Sequence, residues 1–181
     1  GRKRTGDVHL LRKLGEQWDF SISIVETYLI GDERVSSTRI REVLKQDDFD
    51  TAGSLLGYPY AIHGKITHGD KRGRTIGFPT ANIILPHDNI PVWGVYAVLM
   101  HFPGSDPQPG VANVGVRPTV GGDRVLLETH LFDFSEDIYG ERVRVEFKTK
   151  IRPEQRFDSF DALKAQIAMD AAAARAWFER S

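Results

Sequence analysis

The sequence predicts a mainly β protein, an antiparallel barrel or sandwich, with a small mostly helical segment before it and one long helix after it. Three observations predict this. From Tyr58 onward glycines, prolines and β-branched residues become frequent, and short alternating runs replace helical spacing. Turn-forming clusters separate those runs, notably Phe102-Pro103-Gly104-Ser105-Asp106-Pro107 and Gly121-Gly122-Asp123. No long helical pattern falls between them, which argues against a doubly wound parallel sheet.

The elements follow in order. Asp7 is placed to cap a helix carrying Val8, Leu10, Leu11 and Leu14, with Gly15 as a stop signal. Phe20, Ile22 and Ile24 alternate with polar residues and predict a short strand. Ser36-Ser37-Thr38-Arg39-Ile40-Arg41 is a capped helix start, with Ile40, Val43 and Leu44 on one face. A further short helix runs from Phe49 to Leu56 and ends at Gly57. Strands are predicted near 60–67, 81–85, 94–101, 110–115, 125–132 and 142–150. The closing helix starts after Asp158 or Ser159 and carries an apolar stripe of Phe160, Leu163, Ile167, Ala171, Ala174 and Phe178.

Composition narrows the function. The 181 residues are 40% hydrophobic and 27% charged, which suits one folded domain plus a small appendage. Lys and Arg total 24 against 25 Asp and Glu, so the chain as a whole is no polyanion binder, although a local basic patch remains compatible with it. With no cysteine, disulfides, thiolate nucleophiles and cysteine zinc sites are excluded. His63, His68, His101 and His130 show no metal-ligand spacing. No apolar run approaches a membrane span and no signal peptide opens the chain, so the expectation is a cytoplasmic protein without a membrane or nucleic-acid partner.

The segment Gly64–Asn82 carries the chemistry. Glycines at 64, 69, 73 and 77 allow close backbone approach, and Lys71, Arg72 and Arg74 add positive charge among them. Freed backbone N–H groups and cations together suit phosphate oxygens. The spacing is not that of a P-loop, and the strand-to-helix context of a dinucleotide fingerprint is missing. Thr80 and Asn82, two apart on an extended chain, present a hydroxyl and an amide oxygen on one face. Such hard donors can complete a magnesium site with phosphate oxygens and water. On chemistry alone the loop reads equally well as a surface turn with solvated cations.

Gly77-Phe78-Pro79-Thr80-Ala81-Asn82, after this glycine-rich basic turn, resembles the signature of the riboflavin kinase family. Asn113-Val114-Gly115-Val116-Arg117-Pro118-Thr119, Leu127-Glu128-Thr129-His130-Leu131, Asp137-Ile138-Tyr139-Gly140 and Ile151-Arg152-Pro153-Glu154 resemble further family motifs in the same order. The resemblance covers roughly 58–180 and implies a Greek-key-type antiparallel barrel of about six strands over 58–181. It implies transfer of the γ-phosphoryl of ATP to the 5′-hydroxyl of riboflavin, giving FMN and ADP with Mg2+. Glu128 resembles the general base, in a strand where Leu126, His130 and Phe132 share its face and would hold it semi-buried with a raised pKa. The nucleotide set it implies is Gly64, Lys65, His68, Gly69, Lys71, Gly73, Arg74, Gly77, Phe78, Pro79, Thr80 and Tyr139, with Thr80 and Asn82 organising the metal. Asn113, Thr119, Arg152 and Phe157 would form the flavin pocket.

Val35-Ser36-Ser37-Thr38-Arg39-Ile40-Arg41 resembles the late signature of the FMN adenylyltransferase domain that precedes this kinase in bacterial bifunctional enzymes, with Ser37, Thr38 and Arg39 at ATP phosphates. Residues 1–57 then read as a remnant of a Rossmann-like nucleotidyltransferase domain. The early His-x-x-His-type motif of that domain is missing, so the expectation is FMN synthesis without FAD synthesis. Two other classes compete: a non-catalytic flavin-binding barrel, and an RNA-binding barrel gripping through His68, Lys71, Arg72 and Arg74.

Overall fold

The structure is a computed structural model that describes residues 7–23, 27–68, 77–86, 90–119 and 122–181, with backbone alone at 118, 119 and 122. The contact pattern divides the chain into two units, Gly1–Val35 and Ser36–Ser181.

In the first unit Asp7 caps helix α1 (Val8–Trp18), its carboxylate accepting from the Leu10 N–H at 2.8 Å. Gly15 does not end this helix. It is buried in the last turn, where a Cβ would come within 2.7 Å of the Phe20 carbonyl oxygen. The glycine answers to close packing of the returning chain, not to a left-handed cap, a place that Asp19 takes (φ 52°). The strand predicted over 20–24 does not form at 20–23, and residue 24 lies outside the described residues. Instead two-residue strands β1 (Leu29–Ile30) and β2 (Glu33–Arg34) make a hairpin around Gly31 (φ 60°) and Asp32. Leu10, Leu11, Trp18, Tyr28 and Leu29 are exposed.

The second unit opens with two short helices, α2 (Ser37–Lys45), capped by Ser36, and α3 (Phe49–Leu56), capped by Asp48. Six strands follow: β3 (Ala61–Lys65), β4 (Ala81–Leu85), β5 (Gly94–His101), β6 (Gln108–Thr119), β7 (Gly122–Leu131) and β8 (Arg142–Arg152). All pairings are antiparallel, in the order β3-β8-β5-β6-β7-β4. Consecutive β5, β6 and β7 form a meander and β8 returns beside β5, which is a Greek key. The sheet closes on itself past β3, where the Thr67 N–H donates to the Asn82 carbonyl at 2.8 Å. At this seam Gly64 faces inward, and a Cβ there would overlap Ile83 Cγ2. The six-strand barrel that the sequence predicts is therefore present, with β6 and β7 longer than the alternation alone suggests.

Period-two burial sorts the sheet into two faces. Ile66, Ile83, Val98, Met100, Val114, Val125, Leu127, Val145 and Phe147 fill the barrel. Helix α4 (Phe160–Phe178), capped by Ser159, covers part of the outer face. Its Ala171 and Ala174 pack on Val95, Ala97, Val111 and Phe132, with Phe78, Ile151, Trp177 and Phe178 around them. Small alanines let the helix lie close to the strands. Phe160 and Met169 remain exposed, so the buried stripe lies in the second half of the helix.

Helices α2 and α3 belong to the same compact unit as the barrel. Phe49 stacks with Tyr60 and Phe147 and meets the Tyr96 ring edge-on. Buried Tyr96 donates its hydroxyl to Asp47 Oδ1 at 2.8 Å and accepts from the Trp93 N–H at 2.9 Å. Lys150 Nζ holds the other Asp47 oxygen at 2.7 Å. Burial and this carboxylate push the Tyr96 phenol well above its ordinary range, and burial raises Tyr60 to about 12.

Candidate active site

The outer face carries a transverse polar row that strand register alone creates. Asn82 on β4 lies directly opposite Glu128 on β7, and Glu128 directly opposite Asn113 on β6. Such pairs bring Cβ atoms to about 4.5–5.5 Å. Val95 on β5 continues the row to Arg152 on β8. Register shifts in the β5–β8 pairing leave Lys148 and Ile151 as extra residues, which re-aims Arg152.

Glu128 is half-buried and held by Arg117, whose Nε and Nη2 lie 3.0 and 2.6 Å from Oε2. Both contacts fall on the same oxygen, so Oε1 stays available among the described residues. Glu154 Oε1 stands 3.8 Å from Arg117 Nη1, and a Cβ on Gly115 would overlap that same carboxylate oxygen. Gly115 is thus a gap in β6 that the Glu154 side chain fills. The apolar surroundings expected for Glu128 are not its main environment; a guanidinium is. Arg117 and Glu154 were missed as site residues, although both stand inside quoted motifs.

Arg152 commits its fork within the protein. Nε and Nη2 each lie 2.8 Å from an Asp170 oxygen, and Nη1 donates to the Pro153 carbonyl. Asp170 is 4% exposed and also accepts from Gln166 Nε2 at 2.9 Å. The guanidinium sits 5.6 Å from the half-buried Phe157 ring. This bidentate pair ties α4 to β8 beside the polar row. The Thr119 backbone ends β6 opposite Gly122, and its side chain lies outside what is described.

A cleft of about 310 Å³ opens at one end of the barrel. Thr80, Asn82, Thr129, Leu131, Ile138 and Tyr139 help line it. Asn82 is 6% exposed, its Nδ2 donates to the Thr80 carbonyl at 3.2 Å, and its Oδ1 is the atom that could ligate a metal. Half-buried Thr80 adds a hydroxyl. Two neutral oxygens are a fitting protein share for Mg2+, which takes most of its ligands from phosphates and water. Among the described residues no cluster of three His, Asp or Glu side chains offers a metal cage.

The remaining expected nucleotide residues divide. The His68 ring packs at a tilt against Tyr139 with centroids 4.0 Å apart, and Gly77 takes φ 86°. Lys65 ends β3 as an exposed residue, while Gly64 serves the barrel seam. Phe78 packs beneath α4 and edge-on to His130, whose Nδ1 lies 2.9 Å from the Pro79 carbonyl. That contact steadies the turn that delivers Thr80, a role for His130 unseen in the sequence. Gly69, Lys71, Arg72, Gly73 and Arg74 lie outside the described residues. Ser37 and Thr38 are exposed in the first turn of α2, and Arg39 N–H is the donor to the Ser36 cap at 3.2 Å.

A Greek-key barrel with a cleft at its mouth, and an outer polar row that holds the Glu128 carboxylate, is the architecture of a β-barrel suited to a small molecule and to acid–base chemistry. The family model for flavokinase, riboflavin kinase, matches residues 56–178. The bifunctional riboflavin kinase/FMN adenylyltransferase of Escherichia coli (strain K12) is 51% identical over 178 residues, 98% of this chain and 57% of that protein. The corresponding protein of Haemophilus influenzae is 48% identical over 178 residues, 98% of this chain and 58% of its own length. A crystal structure named for a macrolide-efflux protein of Streptococcus pneumoniae superposes with TM-score 0.69 at 37% identity, over 91% of this chain and 54% of that one. The chain belongs to the riboflavin kinase family, and it spans less than two thirds of these curated relatives. Among the described residues no helix is long and apolar enough to cross a membrane.

Proposed function

We propose that this chain transfers the γ-phosphoryl group of ATP to the 5′-hydroxyl of riboflavin, giving FMN and ADP. The observation that carries the residue assignment is the register Asn82–Glu128–Asn113, which sets a phosphate-side amide beside a carboxylate. Glu128 Oε1 takes the proton of the flavin hydroxyl as its oxygen forms the new bond to the γ-phosphorus. The bond from that phosphorus to the bridging oxygen breaks, and ADP leaves with the electron pair. Phosphoryl transfer asks mainly for positioning and charge neutralisation. Arg117 orients Glu128 through Oε2, and Glu154 in the Gly115 gap steadies Arg117.

Thr80 and Asn82 would hold Mg2+, which neutralises phosphate charge when bound. The nucleotide enters the cleft past Tyr139 and His68, and the basic segment Gly69, Lys71, Gly73 and Arg74 attends its phosphates. Lys65, Gly77, Phe78 and Pro79 flank that path. The flavin lies along the outer face near Asn113 and Thr119, against the wall that Arg152 and Phe157 build under α4. Residues 1–57 belong, in this reading, to an adenylyltransferase-type domain with Ser37, Thr38 and Arg39 at its nucleotide, and the exposed Leu10, Leu11 and Trp18 support that reading as apolar surface of a domain edge. The barrel domain would then begin at residue 58, with the protein acting in the cytoplasm on small molecules alone.

A coupled assay for ADP release tests this. Release that requires both riboflavin and Mg2+ is expected. ATP hydrolysis indifferent to riboflavin, or salt-sensitive RNA binding with no turnover, contradicts it.

A further inference from the structure

The β4–β7 ladder stops at Ala81, which pairs with Thr129. One step further the register sets His130 level with Thr80, but Pro79 brings no N–H to a longer ladder. The His130 side chain takes over at that point. Its Nδ1 lies 2.9 Å from the Pro79 carbonyl oxygen, and because a carbonyl only accepts, Nδ1 carries the proton. On the other side of Thr80, Asn82 Nδ2 donates to the Thr80 carbonyl at 3.2 Å. Both peptide planes that flank Thr80 are thus held by a side chain, the first by His130 and the second by Asn82. Together they fix the two backbone torsions that aim the Thr80 hydroxyl.

The imidazole is itself clamped. Phe78 meets it edge-on at 5.1 Å and Phe132 at 6.0 Å, and both belong to the cluster beneath α4. His130 and Glu128 are two apart on β7 and share its outer face. Two residues of strand span about 6.6–6.8 Å. One strand therefore carries the group that takes the flavin proton and the group that sets the phosphate side, at a spacing the backbone fixes.

We propose that His130 is a positioning residue for phosphoryl transfer, its Nδ1–H on the Pro79 carbonyl holding the Thr80 hydroxyl in register with Glu128. The inference rests on the kinase reading above, in which Thr80 and Asn82 serve Mg2+ and the phosphates. Groups that orient a ligating side chain matter about 10–100-fold in metal affinity or activity. In-line transfer is sensitive to small shifts in the spacing of its partners.

Three substitutions separate the hydrogen bond from the packing. In His130→Asn the amide nitrogen takes the place of Nδ1, and in His130→Gln it takes the place of Nε2. His130→Phe keeps a ring between Phe78 and Phe132 without a donor. FMN formation, calorimetric ATP affinity with and without Mg2+, and thermal unfolding are measured on the full chain. His130→Phe and His130→Gln should lower kcat about 10–100-fold and shrink the gain in ATP affinity on adding Mg2+ about tenfold. His130→Asn should stay within about threefold of wild type in both. The KM for riboflavin should be unchanged in all three. Pro79 is exposed and its carbonyl can turn to water, so His130→Phe should melt within about 3 °C of wild type. Wild-type kcat and Mg2+ response in His130→Phe, equal losses in His130→Asn and His130→Gln, or losses that only track a fall in melting temperature would each overturn the proposal. Wild type that binds ATP with Mg2+ but makes no FMN sinks the kinase reading, and the Mg2+ response of the variants still decides on His130. Active wild type with an equally active His130→Phe sinks only the role of His130.

Discussion

Asp170→Leu should undock α4 and lower the melting temperature steeply. Asp170 is 4% exposed and receives two donors of Arg152, whose side chain is 18% exposed. Removing one partner of a buried pair costs about 3–5 kcal/mol, because the other charge stays behind without compensation. In a chain of this length each kcal/mol moves the midpoint about 2–4 °C, so the drop should be roughly 6–20 °C. Partial access of Arg152 to water favours the lower part of that range. The double variant Arg152→Met/Asp170→Leu removes both charges and should recover most of the loss, since apolar replacements of a buried pair are often neutral or better. Circular dichroism melts of wild type, both single variants and the double variant complete the cycle. A single Asp170→Leu variant within about 2 °C of wild type, or a double variant no better than the singles, refutes this account of how α4 is held. Since the double variant keeps α4 in place, its KM for riboflavin then reports whether Arg152 also forms the flavin wall.

Gly64→Ala should cost about 1–3 kcal/mol by overpacking, because the new methyl overlaps Ile83 Cγ2 at the barrel seam; urea denaturation measures it, and unchanged stability would mean that the seam is not tightly packed. Glu146 predicts an acid-side dependence. Burial alone would raise its carboxyl, but Lys148 and then His101 outweigh burial and hold it below the usual range. A folded-state pKa below the unfolded one contributes stability that is full above the ordinary glutamate range and is lost as pH falls through the folded value. Glu146→Gln should remove that part of the slope in melts taken from neutral to acid pH; an identical slope in both proteins would assign it elsewhere.

Six strands were legible because each buried face writes its period of two into the sequence, as Val143, Val145 and Phe147 do on β8. The β1–β2 hairpin was not, since two-residue strands are too short to show a period. Gly15 carried the signal of a helix stop, yet the demand on it comes from Phe20, a tertiary neighbour. The candidate site divides the same way. Thr80, Asn82 and Glu128 announce themselves by residue type and motif. Arg117 meets Glu128 through a pairing that only strand register decides. Arg152 and Phe78 also show the limit: both stand in motifs, and both are engaged with the protein's own α4 layer, one through Asp170 and the other through the apolar cluster.

The most direct measurement of the central claim is FMN formation by purified Glu128→Gln beside wild type, with ATP affinity measured on the same samples. Loss of a positioned general base should lower kcat by about 10²–10⁴-fold while ATP affinity stays within about threefold. FMN produced at the wild-type rate by Glu128→Gln would contradict the assignment of Glu128 as the group that takes the flavin hydroxyl proton.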